Sequence, residues 1–388
     1  MEAPRPPVRV TLLLASLNTA GEERVAVNLL QGCDRELVDI RMGLIRRAGA
    51  FMSEVTPDLV TGPTRWPGWL ASRLRAPSTI ADIIRTDRPD VVMSFGMGVH
   101  LYTWLALGSL GDRKPMWVCR EDNNPDAEIG RLIPTTIGRN AFKAVRRRMF
   151  RAPDALVAVS ADLGAAVFPA VSDRTRVIYN PIDISRVIRS SEAAPSAPFA
   201  RPFVAAAGRL VEQKGFEFLI KGFAGSREAA QMDLVILGEG DLETSLKALA
   251  ASLGVGDRVT FPGFQANPWS WFSRARAFVL SSLWEGFGNV VAEAMACGVP
   301  VIVTDCDFGP REQVTHGVDG WIVPTADSAS IANALDRLLP DQDLTARLAA
   351  AGRHRARDFD IEVIAKVYSE YLHGLGAAGQ ERVGLSRQ

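Results

Sequence analysis

Short, unbroken apolar runs recur along the chain, and most are followed by a stretch whose apolar positions return every three or four residues. The runs RVTLLLAS, VDIRMGLI, DVVMSF, PMWVCR, ALVAVS and RVIYNP read as strands, with EERVAVNLLQGC, STIADIIRT and SADLGAAVF as helices between them. The alternation stops at RSSEAAPSAPFARP (residues 189–202), which is rich in Ser, Ala and Pro and has no apolar period. It restarts with FVAAAGRL, MDLVILG, RVTFPG, AFVLSS, VPVIVTD and GWIVP, separated by the helical FEFLIKGFAG, DLETSLKALAASLG, NVVAEAMACG and SIANALDRLL. Strands that are apolar on both faces and alternate with helices belong to parallel sheets covered on both sides. The pattern therefore predicts an α/β protein of two doubly wound, Rossmann-like domains, residues 1–188 and 203–359, joined by the linker and facing each other across a cleft. A last helical pattern, IEVIAKVYSEYLHGLG, is expected over residues 360–375 and to pack back on the first domain, with residues 376–388 disordered.

Length agrees with this division, because 388 residues exceed what one ordinary core serves. Apolar residues at 47% and charged residues at 23% are the proportions of a soluble globular protein. The 44 basic and 44 acidic residues cancel, so no global field favours nucleic acid as a partner. Cys33, Cys119, Cys297 and Cys306 are widely spaced without a C-x-x-C pair. That spacing argues against a disulfide framework or a zinc site and suits a reducing, cytoplasmic setting. Two segments imitate membrane signals. RVTLLLASLNTAGEERV has the make-up of a secretory signal, but a helical pattern follows at once, so its apolar part reads as a first buried strand. VVMSFGMGVHLYTWLALGSL (residues 91–110) is broken by glycines, Ser94 and His100 into strand, loop and helix rather than one span.

In doubly wound sheets ligands bind beyond the carboxyl ends of the strands, at the strand-to-helix turns. In AAAGRLVEQKGFEFLI, Gly208, Arg209 and Lys214 lie between a strand and a helix. Such a turn can hold a diphosphate by forked and point-charge contacts; a loop with solvated basic residues is the plainer alternative. LSSLWEGFGNVVAEAMA ends a strand, turns through Gly286 and Gly288, and opens a helix whose first N–H groups lack partners within it. Glu285, before the turn, can accept hydrogen bonds from sugar hydroxyls, and Glu293, on the helix, from those of a ribose. Neither needs to act as a base. The plainer alternative is a helix-start acid and a buried acid paired with arginine. An arginine–lysine loop and an acid–glycine loop in one domain together point to a nucleotide sugar.

These residues carry a resemblance. Glu285, the glycine turn, Glu293 and EAMACGVPVIVTD resemble the two-glutamate motif of glycosyltransferase family 4, whose fold is called GT-B. GRLVEQKGFEFLIKGF is similar to that family's diphosphate loop, with Arg209 and Lys214 in the matching places. GFQANPWSWFSRARAFVLSS, DCDFGPREQVTHGVDGWIVP and the first-domain VSADL and RVIYNPID follow its pattern too. The resemblance extends over residues 8–375, stronger in the second half than before about residue 150, and FGPRE is similar to members that extend bacterial polysaccharides or lipid-linked oligosaccharides.

The resemblance implies a retaining transfer of a hexose or N-acetylhexosamine from a nucleoside-diphosphate sugar, UDP-sugars foremost, to a glycan or lipid-linked acceptor. It implies no metal and no other cofactor. Arg209 and Lys214 would stabilise the diphosphate as it leaves. Glu285 and the stretch Gly286, Phe287, Gly288, Asn289 and Val290 would hold the donor sugar, and Glu293 the ribose. Phe261, Gly263 and Glu239 would supply base and nearby donor contacts, with the leaving phosphate itself taking the acceptor's proton. The first domain departs from the pattern: family members often show two glycines at the first strand–helix turn, whereas here Ala20 precedes Gly21. His100 is a candidate for a histidine the family carries after a first-domain strand, with a core or capping histidine as the alternative. Glu121, in VCREDNNP, reads either as an acceptor-side acid in a turn facing the cleft or as an ordinary loop acid.

Asp305 and Asp307 have the spacing of an Asp-x-Asp metal site, but they end a strand in a chain whose donor phosphates already have arginine and lysine. Cys297 sits among Ala-rich neighbours and reads as a buried structural cysteine. FKAVRRRMFR (residues 142–151) carries Lys143, Arg146, Arg147, Arg148 and Arg151, and RWPGWLASRLRA (residues 65–76) carries Trp66 and Trp69 among arginines. Both suit an anionic membrane surface, and a solvated basic face is the alternative. The sequence thus reads as a cytoplasmic glycosyltransferase, peripheral on the inner face of the plasma membrane. A nucleotide-sugar epimerase and a non-catalytic sugar-nucleotide-binding partner of a polysaccharide assembly are the competing readings.

Overall fold

Each apolar run foreseen as a strand pairs in parallel with its neighbours in one of two sheets. The structure, a computed structural model, describes residues 6–18, 21–63, 69–111, 114–124, 135–195 and 201–385, apart from the side chains of 69–73 and 382–385. The chain divides into two compact units, Met1–Pro181 with Ile361–Gln388, and Ile182–Asp360.

In the first unit the strands are β1 (Val8–Leu14), β2 (Val38–Leu44), β3 (Val60–Thr61), β4 (Val91–Phe95), β5 (Met116–Glu121), β6 (Ala155–Ala158) and β7 (Thr175–Val177). They lie in the order β3-β2-β1-β4-β5-β6-β7. Side chains alternate across a strand, and β1 shows it. Val10, Leu12 and Leu14 join a core with Val25 and Leu29 of the helix Gly21–Gly32 and Ala365, Tyr368 and Leu372 of the last helix. Leu13 joins the opposite core, with Ile80 of the helix Trp69–Asp87 and Val99 of the helix Met97–Gly108.

The second unit holds β8 (Phe203–Ala207), β9 (Asp233–Leu237), β10 (Val259–Thr260), β11 (Ala277–Leu280), β12 (Val301–Thr304) and β13 (Trp321–Val323), in the order β10-β9-β8-β11-β12-β13. Val204 and Ala206 pack with Leu219 and Phe223 of the helix Phe216–Gly225 and Ile331 and Leu335 of the helix Ser328–Leu338. In both sheets the strand order reverses beside the first strand, between β1 and β4 and between β8 and β11. A doubly wound sheet opens its crevice at such a reversal.

Three expectations need correction. The units part at Pro181/Ile182 and Asp360/Ile361, ahead of the expected linker at 189–202 and just after the expected end at 359. ISRVIRSS forms a helix, Ile184–Ser191, that buries Ile184 and Val187, and the Asp183 carboxylate caps it by accepting from the Arg186 N–H at 2.7 Å. That helix packs within the second unit, so the Ser-rich stretch begins inside an element. The last helix runs Ile361–Leu385, so residues 376–385 are helical rather than disordered. Gly376 lies so close to β1 that an added Cβ would stand 2.1 Å from Val8 Cγ1, and this packing outweighs the low helix propensity of the glycines. Residues 91–110 divide into β4, Gly96 and the helix Met97–Gly108. Among the described residues no helix is long and apolar enough to cross a membrane.

Candidate functional site

The reversal in the second unit sets the turn after β8 against the turn after β11, and hydrogen bonds join the two. The Leu283 N–H donates to the Gln213 carbonyl at 2.7 Å, the Gln213 side chain to the Trp284 carbonyl at 3.0 Å, and the Ser281 hydroxyl to the Lys214 carbonyl at 2.8 Å. Gly215 makes this approach feasible. Its φ of 58° is left-handed, and a Cβ there would lie 2.2 Å from the Ser281 carbonyl oxygen.

The joined turns bring Lys214 to Glu285, with Nζ 2.5 Å from Oε1 and the side chains only 15% and 7% exposed. The Ser282 hydroxyl donates to the same oxygen at 2.6 Å. Oε2 of Glu285 makes no hydrogen bond among the described residues, so one oxygen is fixed and the other is open. Thr304 of β12 donates to the Ser282 carbonyl at 2.6 Å, and the Glu285 N–H to the Asp307 carbonyl at 3.1 Å. Arg209 is exposed, and its guanidinium makes no ion pair or hydrogen bond among the described residues. Behind the pair, burial and then the Glu285 charge push the Cys306 thiol up to about 12.

Glu239, past β9, is exposed; its carbonyl accepts from the Leu210 N–H at 2.8 Å and its carboxylate from the Phe264 N–H at 3.4 Å. The Gly238 N–H donates to the Gly263 carbonyl at 2.9 Å, which ties in the half-buried Phe261–Gly263 turn past β10. Thus Gly208, Arg209, Lys214, Glu239, Phe261, Gly263 and Glu285 all sit at one edge of the sheet, around the reversal. Gly286 and Phe287 are buried, and Gly288, Asn289 and Val290 half-buried, where the turn enters the helix Asn289–Cys297. Glu293, half-buried on that helix, accepts a hydrogen bond from the Trp269 indole N–H at 3.0 Å. Burial and then the Glu293 charge raise the Cys297 thiol, which leaves it no thiolate character at neutral pH. Asp305 is ion-paired with Arg311 at 2.6 Å, and among the described residues no three His, Cys, Asp or Glu side chains converge to hold a metal.

Sequence reasoning missed the supports of this site: Ser282 and Gln213, and Gln313 of the short helix Pro310–Gln313. Hydroxyl and amide side chains beside a motif were the only available signal.

The reversal in the first unit corrects two expectations. Gly21 is exposed and opens the helix Gly21–Gly32, but His100 is wholly buried, its Nδ1 2.8 Å from the Ser94 hydroxyl. Burial holds its imidazole down at about 3, so it is neutral at physiological pH and belongs to the core. Glu121 is the last residue of β5, not part of a turn, and is 2% exposed, with Oε2 3.9 Å from His100 Nε2. Glu22, also at this edge and half-buried, was passed over by the sequence reading; a Cβ on Gly96 would lie 2.9 Å from its Oε2. Burial, then the charges of Asp122 and Glu23, push its carboxyl well above the usual range, with Arg120 opposing and Glu121 adding to the rise. The neighbouring Arg120 is committed to Tyr368, Asn180 and Asp122.

A carboxyl raised on folding binds protons more tightly in the folded state. Stability is then lost as pH rises from the unfolded value toward the folded one. Glu22→Gln should therefore raise the melting temperature at pH 8 and leave it unchanged at pH 3, where both states carry the proton. An equal shift at both pH values would show that ionisation of Glu22 plays no part.

The basic segment forms the helix Thr136–Met149 followed by Phe150 and Arg151. Arg147, Arg148 and Arg151 are exposed, as are Ile137 and Val145, Lys143 is half-buried, and Arg146 is only 9% exposed, so it leaves the expected patch. Trp66 and the side chain of Trp69 lie outside the described residues.

Comparison with known proteins matches residues 19–186 to the family described as Glycosyltransferase Family 4, and residues 190–355 to Glycosyl transferases group 1. The lipopolysaccharide core biosynthesis glycosyltransferase LpsE of Rhizobium meliloti is 33% identical over 361 residues, which is 91% of this chain and 95% of that protein. An uncharacterized glycosyltransferase of Methanocaldococcus jannaschii is 30% identical over 242 residues, 53% of this chain and 59% of its own length. The N-acetylgalactosamine-N,N'-diacetylbacillosaminyl-diphospho-undecaprenol 4-alpha-N-acetylgalactosaminyltransferase of Campylobacter jejuni is 31% identical over 201 residues, 52% of this chain. The chain spans only 54% of the length of that enzyme. Among solved structures, Anabaena HepE in complex with UDP-glucose superposes with a TM-score of 0.75 at 21% identity, over 95% of this chain and all of that one. At that identity the likeness concerns the fold.

Proposed function

The chain belongs to the family 4 and group 1 glycosyltransferases, and from that premise we propose a retaining transfer of a hexose or N-acetylhexosamine from a UDP-sugar. The acceptor is a glycan or lipid-linked saccharide of cell-surface polysaccharide or lipopolysaccharide synthesis. One observation carries the reading: at the reversal between β8 and β11, Arg209 and the Lys214–Glu285 pair share one crevice edge, and among the described residues the Arg209 guanidinium and one Glu285 oxygen have no partner.

Arg209 and Lys214 supply the positive charge for the diphosphate, which gains charge as the bond to the anomeric carbon breaks. The open oxygen of Glu285 accepts from sugar hydroxyls, beside the backbone of Gly286–Asn289. Glu293 serves the ribose, and Phe261, Gly263 and Glu239 the base. The anomeric carbon bonds to the acceptor oxygen, and the acceptor's proton passes to the departing phosphate. The products are a glycoside and UDP, with no side-chain base consumed. Two cations at this edge can neutralise the diphosphate without a metal, which supports a metal-independent reaction. The relatives' names support the acceptor class, since one acts in lipopolysaccharide core biosynthesis and one on a diphospho-undecaprenol-linked sugar. The enzyme is cytoplasmic and meets the membrane's inner face through Lys143, Arg147, Arg148 and Arg151.

Incubation with a panel of UDP- and GDP-sugars, with and without lipid-linked acceptors and EDTA, tests this. Release of UDP that EDTA does not slow is the expected result. Sugar interconversion without release would mean an epimerase, and binding alone a non-catalytic partner. Loss of activity in EDTA would return Asp305 and Asp307 to consideration. Vesicles of anionic lipid in the same mixture should sediment with the protein, and sedimentation unaffected by the double variant Arg147→Glu, Arg148→Glu would remove the basic patch from membrane contact.

A further inference from the structure

Gln313 closes the short helix Pro310–Gln313, and its side chain is wholly buried. Its amide nitrogen donates to the Phe287 carbonyl and, at 3.4 Å, to the Gly288 carbonyl. Two carbonyl oxygens can face only the amino end of the amide, so chemistry fixes the orientation. The other end, Oε1, is buried and has no hydrogen-bond partner among the described residues. An acceptor buried without a partner is unfavourable, so an apolar side chain would serve packing better than this glutamine. The amino group is what the position requires.

The surroundings hold that amino group still. Arg355 donates to the Gln313 carbonyl at 3.1 Å and to the Glu312 carbonyl at 2.5 Å, which fixes the end of the short helix. Gly309 brings its start against the glycine turn: φ is 76°, and a Cβ there would stand 2.5 Å from Phe287 Cα. Phe287 is locked from the other side, with its ring edge-on to Phe359 at 5.3 Å between centroids.

A trans peptide is planar, with its C=O and N–H pointing in opposite directions. Cis peptide bonds are absent among the described residues. By drawing the Phe287 carbonyl to one side, Gln313 turns the Gly288 N–H to the other, while the Gly288 carbonyl is set by the helix, where it accepts from the Val291 N–H at 2.9 Å. The Gly288 N–H stands at the N-terminus of the helix Asn289–Cys297, where anions are favoured. We propose that Gln313 is a positioning residue which, through the Phe287 carbonyl, aims the Gly288 N–H at the diphosphate of the donor; this rests on the glycosyltransferase reading above.

The test is calorimetric titration of the full chain with UDP and GDP. In Gln313→Ala, the dissociation constant of whichever nucleotide the wild type binds should rise about tenfold, with stoichiometry near one. Stoichiometry tracks the folded fraction and the constant tracks the site, so a merely structural role would lower the first alone. Gln313→Glu adds a second readout. At pH 8 its carboxylate repels the two carbonyls, and affinity relative to wild type should fall further than in Gln313→Ala. At pH 5 a protonated carboxyl can donate one hydrogen bond to Phe287, and part of the loss should be recovered. Wild-type affinity in both variants overturns the inference and leaves the glycosyltransferase reading standing. Failure of the wild type to bind either nucleotide overturns both.

Discussion

Arg209→Ala should lower turnover of the donor by roughly 10²–10³-fold while moving the melting temperature by no more than about 1–2 °C. The separation of the two effects follows from where the side chain is. Arg209 is exposed, its guanidinium has no partner among the described residues, and the fold at this turn is set by its neighbours instead. Leu210 is buried and bonded to the β9 turn, and Val211 closes back on the Arg209 carbonyl at 2.8 Å. On the function proposed above, truncation therefore removes a charge that meets only the ligand. Lys214→Ala is a poorer probe. It would leave Glu285, 7% exposed, without its counter-ion, at a cost of roughly 1–3 kcal/mol, so lost activity and lost stability would arrive together. Nucleotide release and thermal melts of both variants decide the matter. Turnover of Arg209→Ala within threefold of wild type would take this residue out of the transition state.

How far the sequence carries depends on whether a feature is local. Unbroken apolar runs such as VPVIVTD announce buried parallel strands, and glycine turns mark the carboxyl ends where ligands bind; the sheets and the residues around the β8–β11 reversal were legible for that reason. Contacts across sequence were not. Nothing within GVHLY says that His100 turns into the core against Ser94, while Glu22, one residue past a turn already singled out, faces the edge of the sheet. The two-residue β3 has too few side chains to show a period. Arg146 sits in a run of three arginines, and only the packing of its helix separates the buried one from the exposed two. Gln313 is the clearest case: a polar residue after FGPRE reads as solvated until the fold places it under the carbonyls of a turn formed by residues far earlier in the chain.

Glu285→Gln should cost roughly 10–100-fold in turnover of the sugar nucleotide, yet leave affinity for UDP itself equal or tighter. The carboxylate divides its work between two oxygens. Oε1 receives Lys214 and Ser282, both donors, so a glutamine must keep its carbonyl oxygen there and place its amino group at the open position. Size and buried contacts are nearly unchanged, and the one alteration at the open position is from acceptor to donor. A sugar hydroxyl that donated to the open oxygen would then face another donor, which weakens grip on the sugar in ground and transition states alike. The diphosphate has the opposite interest. Loss of a negative charge beside Lys214 leaves the ammonium freer to serve a phosphate, so UDP without its sugar gains or is indifferent. Calorimetry with UDP and turnover with the sugar nucleotide, read on one preparation, separate the cases. If UDP affinity falls in step with turnover, Glu285 holds the nucleotide or the turn, and its assignment to the sugar is wrong.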